Sequence, residues 1–267
     1  MKKLALFRNR LLAKRVVCAI LKVYDQNKDI RIMSEKLQTP VCTEAVEILR
    51  KKPRFRIVVF GASNTERYMP GIHWSDVLDV GIRSVYGRKF HVINSGICGN
   101  NTREGLARFE DDVAAFEPDI VIVTFAGNDC NPHPPKNVPL PEFAANLDLM
   151  VGKIRALGAL PILQTYYMMD LCHMESARAA LVDGYMDEIR KAAGRNGVFL
   201  VDQQKYFAAL PEETLRYKLL LNPMHVNEEG NILIGNILLH HLGIDPKDIV
   251  HHEKLLFAEE LYRSIAG

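Results

Sequence analysis

From Phe55 onward the chain alternates five short apolar runs with segments of helical spacing, and this alternation restricts its fold more than any other feature. The runs are Arg56–Phe60, Phe90–Ile93, Ile120–Phe125, Leu160–Gln164 and Val198–Val201. They are rich in β-branched residues and lack polar alternation, the pattern of strands buried on both faces of a parallel sheet. Between them, Leu106, Phe109, Val113 and Phe116 step by three and four, as do Phe143, Leu147, Met150, Ile154 and Leu157. Side chains at that spacing share one face of a helix. Repeated strand–helix–strand units predict a three-layer, doubly wound α/β domain around a five-stranded parallel sheet, with right-handed crossovers.

The chain divides into an N-terminal helical extension at 1–54, the main domain at 55–243 and a C-terminal helical tail at 244–267. Residues 1–24 hold seven cations and no acid, so the remainder of a chain with net charge +2 is net acidic. The apolar residues of this segment fall into two arcs, one at Leu4, Phe7 and Leu11 and the other at Leu12, Val16, Ile20 and Val23. A helix without a single apolar face is expected to pack on the main domain with its cations in water. A membrane-surface helix through residues 1–24 is the disfavoured alternative. The run Arg50-Lys51-Lys52-Pro53-Arg54 reads as a helix end stopped by proline, its cations on the negative end of the dipole, and not as a nucleic-acid patch. The near-neutral charge balance likewise gives no reason to expect nucleic acid as a partner. No uncharged apolar run approaches the ~18 residues of a membrane-spanning helix. Five cysteines without a C-x-x-C pair read as free thiols in a reducing compartment, which places the expected location in the cytoplasm.

In open parallel sheets the site lies at the carboxyl ends of the strands. There the sequence puts Gly61-Ala62-Ser63-Asn64-Thr65, then Asn94 through Thr102 with Gly96 and Gly99, then Gly127-Asn128-Asp129. Asn222-Pro223-Met224-His225-Val226-Asn227 precedes a helix expected at 228–242. A serine, a glycine-rich loop, an asparagine and a histidine therefore meet on one rim. A serine hydroxyl needs a base to become a nucleophile, and His225 suits Ser63 in that role. A tetrahedral oxyanion needs fixed donors, for which the N–H groups of Gly99 and Ser63 and the amide of Asn128 are suited. Asn222, three residues before His225, is the polar group spaced to orient the imidazole.

These four blocks resemble those of the SGNH hydrolases, the GDSL-type esterases and lipases, over about residues 55–243. Gly61-Ala62-Ser63-Asn64-Thr65 matches the nucleophile block, Gly96 to Thr102 the glycine loop, Gly127-Asn128-Asp129 the G-x-N-D block, and Asn222 to Asn227 the D-x-x-H block. The resemblance implies a flavodoxin-like sheet and a serine-esterase mechanism without metal or cofactor. It places the nucleophile on Ser63, the base on His225 and oxyanion donors on Gly99 and Asn128. Two positions depart from it. Ala62 stands where the family has the first-block aspartate, whose bracing role is either absent or taken by Asn64. Asn222 stands where the family has its triad aspartate. Three readings follow: a Ser63–His225 dyad oriented by Asn222 or a backbone carbonyl, an acid from elsewhere such as Asp202, or a weak or silent site.

Other candidates carry less. Cys130, His133, Cys172 and His173 lack the matched spacing of a zinc site, so no metal is expected. Asp129 reads as a loop brace at the pocket. Asn64, Arg67, Tyr68, Trp74, His133, Tyr166, Tyr167 and His173 are expected to line that pocket, with core packing as the alternative for the aromatic ones. The expected activity is hydrolysis of small-molecule or carbohydrate esters bearing short acyl or O-acetyl groups. A silent carbohydrate- or ligand-binding module and an acyltransferase are the alternatives.

Overall fold

The computed structural model describes residues 39–67, 70–246 and 253–266, so the expected helix at 1–24, Tyr68 and the His251-His252 pair lie outside the described residues. After a first helix, α1 (Thr43–Lys51), come β1 (Phe55–Gly61), α2 (Trp74–Tyr86) and β2 (Phe90–Gly96). The segment after β2 holds α3 (Thr102–Ala107) and α4 (Phe109–Asp112) and leads to β3 (Ile120–Thr124). Next are α5 (Leu140–Ala156), β4 (Leu160–Gln164), α6 (Ser176–Asn196), β5 (Phe199–Val201) and α7 (Gln203–Ala208). A two-stranded hairpin, β6 (Leu220–Asn222) with β7 (His225–Val226), precedes α8 (Glu228–His241), and α9 (Glu253–Ile265) lies in the tail.

The five strands β1–β5 form one parallel sheet in the order β2-β1-β3-β4-β5. Each apolar run thus becomes a strand of a doubly wound α/β sheet, as the sequence predicts. In β3 every residue is buried, and in β1 all but Arg56. Helix α2 packs against α8 and α8 against α9, whereas α5 packs against α6 and α3. Beneath the rim, Phe60 meets Phe109 and Phe125 edge-on at ring separations of 6.1 and 5.2 Å. The chain leaves β1 for β2 on one side and later enters β3 on the other. The order therefore reverses between β1 and β3, and in open α/β sheets ligands bind at the carboxyl ends of the strands at such a switch point.

Two local expectations are corrected, and one element is new. β2 runs on through Asn94, Ser95 and Gly96, because the Asn94 amide satisfies the polar backbone there. Its Oδ1 accepts from Gly96 N at 3.0 Å and its Nδ2 donates to Thr65 O at 2.6 Å. The periodic stretch from Leu106 to Phe116 is not one helix but two short helices and a 3₁₀ turn at Ala114–Phe116. It breaks at Arg108, whose guanidinium turns inward, and Phe116 is left exposed. The β6–β7 hairpin is too short to leave a periodic signal and is not foreseen.

Ile122 sits in the central strand, 1% exposed and paired with Val59 on one side and Ile162 on the other. Ile122→Ala is expected to lower the unfolding free energy by about 2–5 kcal/mol in urea denaturation; a change under about 1 kcal/mol would contradict this packing.

Candidate active site

Ser63 lies on the turn that leaves β1, and His225 opens β7, 162 residues later. The Ser63 hydroxyl and His225 Nε2 are 2.9 Å apart. Gly61 makes that turn tight enough: a Cβ there would stand 2.3 Å from Thr65 Oγ1 and 2.5 Å from the Thr124 carbonyl. The other ring nitrogen, His225 Nδ1, lies 3.0 Å from Asn222 Oδ1. The same oxygen accepts from the backbone N–H of Met224 at 2.9 Å and of His225 at 3.0 Å. Backbone N–H groups only donate, so they hold the oxygen of the Asn222 amide, and not its NH₂, against the ring. Nδ1 therefore carries the proton, and Nε2 presents its lone pair to the serine hydroxyl. Burial lowers the His225 pKa below its usual 6.5, and the nearby charge of Arg178 lowers it further. The imidazole is therefore neutral at pH 7 and able to accept a proton.

The expected donors lie on the loops that follow β1, β2 and β3. Gly99 has φ +77°, a conformation that glycine adopts without strain, and a Cβ there would meet open space. Neither the Gly99 N–H nor the Ser63 N–H finds an acceptor among the described residues. Asn128 Nδ2 donates one of its two hydrogens to the Asn100 carbonyl at 2.8 Å, which fixes the amide. The loop that carries it is strained at Ala126, with φ 132°. Cys130 N bonds back to the Ala126 carbonyl at 2.9 Å, and the Arg178 guanidinium bonds to the Gly127 carbonyl.

Two further groups tie the loops together. Asn64, 8% exposed, joins the nucleophile turn to the histidine loop: its side chain meets the Tyr167 hydroxyl at 2.7 Å and the Met224 carbonyl at 3.4 Å. Tyr167 also reaches that carbonyl at 2.5 Å. Arg108 lies over the Phe60 ring at 4.6 Å and donates to Gly61 O at 2.8 Å, Ser95 O at 2.9 Å and Asn100 Oδ1 at 2.7 Å. It links the ends of β1 and β2 to the glycine loop. Sequence reasoning missed both Arg108 and Arg178. Each is one arginine in a helical segment, and nothing in its spacing marks it as turned toward the rim.

The pocket expectations divide. Arg67 is exposed and paired with Asp76 at 2.9 Å. His133 is exposed and paired with Glu175 at 2.8 Å, and His173 with Asp170 at 2.8 Å. Trp74, Tyr166 and Tyr167, at 1–2% exposure, are buried beneath the rim instead of walling an open pocket. The Trp74 indole donates to the Asn64 carbonyl at 2.7 Å, and Tyr166 packs on Gly127 so closely that a Cβ there would lie 2.4 Å from its ring. These rings support the loops from below because their apolar bodies fill the core and their polar tips reach backbone carbonyls or side-chain amides. Cys130 is buried with its thiol on the Gly127 carbonyl, while Cys172 is exposed, so the four Cys and His residues do not converge. Among the described residues no group of three or more His, Cys, Asp or Glu is placed to hold a metal ion. Asp202 is occupied elsewhere. It caps α7 and pairs with Arg190 at 2.8 Å, so it does not reach His225 as a substitute acid.

Asp129 is fully buried and braces the start of α3: one carboxylate oxygen accepts from Thr102 N at 2.8 Å and Thr102 Oγ1 at 2.6 Å. Its second oxygen is buried without a partner. Burial outweighs these bonds and pushes its pKa from the ordinary 3.8 up to about 6.

The sequence model of the GDSL-like lipase/acylhydrolase family matches residues 59–232. The acetylxylan esterase of Geobacillus stearothermophilus is 26% identical over 194 residues, which span 70% of this chain and 84% of the relative. A crystal structure of an acetylxylan esterase from that organism superimposes with a TM-score of 0.60 at 25% identity, covering 71% of this chain and 94% of the other. A catalytic mutant of that esterase gives a TM-score of 0.62 at 24% identity over 74% and 97%. An alpha/beta hydrolase from the metagenome of Lake Arreo, Spain, gives 0.60 at 25% identity over 71% and 95%. Among the described residues no helix is long and apolar enough to cross a membrane.

The raised pKa of Asp129 has a sign that can be measured. The folded state keeps a proton that the unfolded chain releases between about pH 4 and 6, so this group's contribution to stability falls as pH rises through that window. Asp129→Asn keeps an acceptor for Thr102 and removes the titration. The variant is expected to gain stability relative to the parent between pH 4 and 7, by on the order of 1–3 kcal/mol in urea unfolding. An identical pH dependence in the two proteins would contradict the burial of the charge.

Proposed function

The chain belongs to the GDSL-like lipase/acylhydrolase family and is an esterase of that type, and on that premise we propose that Ser63 is its nucleophile, His225 its base and Asn222 the group that sets the tautomer of the base. The observation that supports this most directly is the line Asn222 Oδ1, His225 Nδ1, His225 Nε2, Ser63 Oγ, with separations of 3.0 and 2.9 Å across the ring.

Ser63 Oγ attacks the ester carbonyl as its proton passes to His225 Nε2. The carbonyl oxygen takes up negative charge and is met by the N–H groups of Ser63 and Gly99 and the amide of Asn128. Removing one such donor typically costs ~10²–10³ in turnover. The imidazolium returns its proton to the leaving alcohol as the carbon–oxygen bond breaks, leaving an acyl-serine. Water then adds under the same base, and the acid departs. The asparagine holds the working tautomer but supplies no negative charge for the imidazolium, so this site gives up part of what a carboxylate contributes. The substrate class we propose is a short acyl ester of a carbohydrate, foremost an O-acetyl group. The acetylxylan esterase relatives support the sugar, and the GDSL family supports the ester.

A fluorophosphonate probe followed by mass spectrometry is expected to mark Ser63, and Ser63→Ala is expected to lose both the label and the turnover of p-nitrophenyl acetate. Labelling elsewhere, or unchanged turnover in that variant, overturns the assignment. With the His225 pKa lowered by burial, the acid limb of kcat/KM is expected below pH 6.5. Asn222→Asp gives the ring an anionic partner, so the limb is expected to move to higher pH with turnover at least maintained. Asn222→Ala removes the tautomer clamp and is expected to lower kcat by on the order of 10²-fold. An acid limb that stays put in Asn222→Asp would count against Asn222 as the partner of Nδ1.

A further inference from the structure

Arg178, in the first turn of α6, brings a positive charge to the rim of the site without a counterion. Its guanidinium is anchored on the Gly127 carbonyl, one residue before Asn128, and no carboxylate pairs with it among the described residues. Its Nε is buried with no hydrogen-bond partner, and the side chain remains partly exposed. A guanidinium carries five N–H donors, and the loop meets it only at the Gly127 carbonyl and the neutral Cys130 thiol, neither of them an anion. The acids of the surrounding elements are engaged elsewhere. Glu175 holds His133 at 2.8 Å, Asp170 holds Arg216 and His173 at 2.8 Å, and Glu66 accepts from Cys98 N at 2.7 Å. Asp129 is sealed in the core against Thr102.

A second observation points the same way. The residue that orients His225 is the neutral Asn222, so among the described residues no carboxylate touches the imidazole on either side. When His225 takes the serine proton and the oxyanion forms, these two new charges cancel, and Arg178 remains as an uncompensated cation beside them. A half-buried charge in this state attracts an anion from whatever enters the site, more strongly than it would in open water.

We propose that Arg178 is a specificity-determining residue that receives a carboxylate carried by the substrate, so that the preferred ester is one with a negative charge a few bonds from the scissile carbonyl. This inference rests on the ester-hydrolase reading above and narrows it from esters of carbohydrates in general to acidic ones. Arginine suits the role because its planar fork meets a carboxylate with two parallel hydrogen bonds. The loop contact at Gly127 sets its direction. The anion also supplies a negative charge to a transition state whose base has no carboxylate of its own.

Two matched pairs of esters test the proposal, one with the charge on the acyl side and one with it on the alcohol side. The first is p-nitrophenyl butyrate against mono-p-nitrophenyl succinate, and the second is phenyl acetate against 4-acetoxybenzoate. In at least one pair the charged member is expected to have a kcat/KM at least tenfold higher at pH 7 and low salt, with the preference shrinking as salt is added. Arg178→Gln is expected to bring that ratio to about one, and Arg178→Lys to keep part of it. A residue that only braced the Gly127 loop would lower both members of a pair together and leave the ratio where it was. Ratios near one for both pairs in the parent protein overturn the proposal whether or not the variants fold, as does a ratio untouched by Arg178→Gln. Ester turnover with labelled Ser63 but no charge preference defeats this inference alone. No turnover of any of the four esters, with Ser63 unlabelled, defeats the hydrolase reading and the inference with it.

Discussion

Two backbone N–H groups decide which atom of Asn222 faces His225, and the chemistry of the site depends on that choice. An asparagine beside a histidine is ambiguous by itself, because its oxygen and its NH₂ select opposite tautomers. The tight turn from Asn222 to His225 removes the ambiguity by aiming the N–H groups of Met224 and His225 at the same oxygen that meets Nδ1. The free lone pair of Nε2 then points at Ser63. The short hairpin β6–β7 is what sets this turn, and its packing against the start of α8 carries it to the rim. In the proposed mechanism a neutral residue does the geometric half of a carboxylate's work, and the electrostatic half is left open.

The loops of the site are held together by groups that touch neither the Ser63 hydroxyl nor the His225 ring. Trp74, Tyr166 and Tyr167 lie beneath the loops and hold them through one polar tip or one close face each. Arg108 gathers the ends of β1 and β2 and the glycine loop, its guanidinium stacked on Phe60. Asn64 joins the turn that carries the serine to the loop that carries the histidine, which gives a mechanical role to a position beside the alanine of that turn. These contacts tie together the loops that carry Ser63 and His225, and in the proposed mechanism small misplacements of that pair cost more than the loss of most single contacts.

Charge follows the same economy. The buried carboxylate of Asp129 and the buried His73, whose pKa burial lowers to about 4, are held where burial disfavours their ionised forms. Arg178 is the exception, a cation kept at the rim by a carbonyl and not by an acid. A site with a neutral orienting residue and a bare cation differs electrostatically from one with a carboxylate, although the serine, the imidazole and the amide donors are the same.

The sequence alone determined the sheet, its parallel sense, and the four loops on which Ser63, Gly99, Asn128 and His225 stand. The reason is that burial on both faces leaves an uninterrupted apolar run, and a site at strand ends leaves polar residues and glycines directly after such runs. It also marked Asn222 as the neighbour of His225 and left three readings of the site open: a dyad, an acid from elsewhere, or a weak or silent site. The tertiary structure places Asp202 elsewhere and shows which atom of Asn222 faces the ring. The facing atom of an amide depends on hydrogen bonds that spacing does not encode, and Asp202 was ruled out by an arginine, Arg190, that no motif links to it. The inward turn of Arg108, the burial of the aromatic residues expected at the pocket, and the unpaired charge of Arg178 were illegible for the same cause. Each depends on which distant segments pack together, and periodicity reports a residue's face on its own element but not what that face will meet.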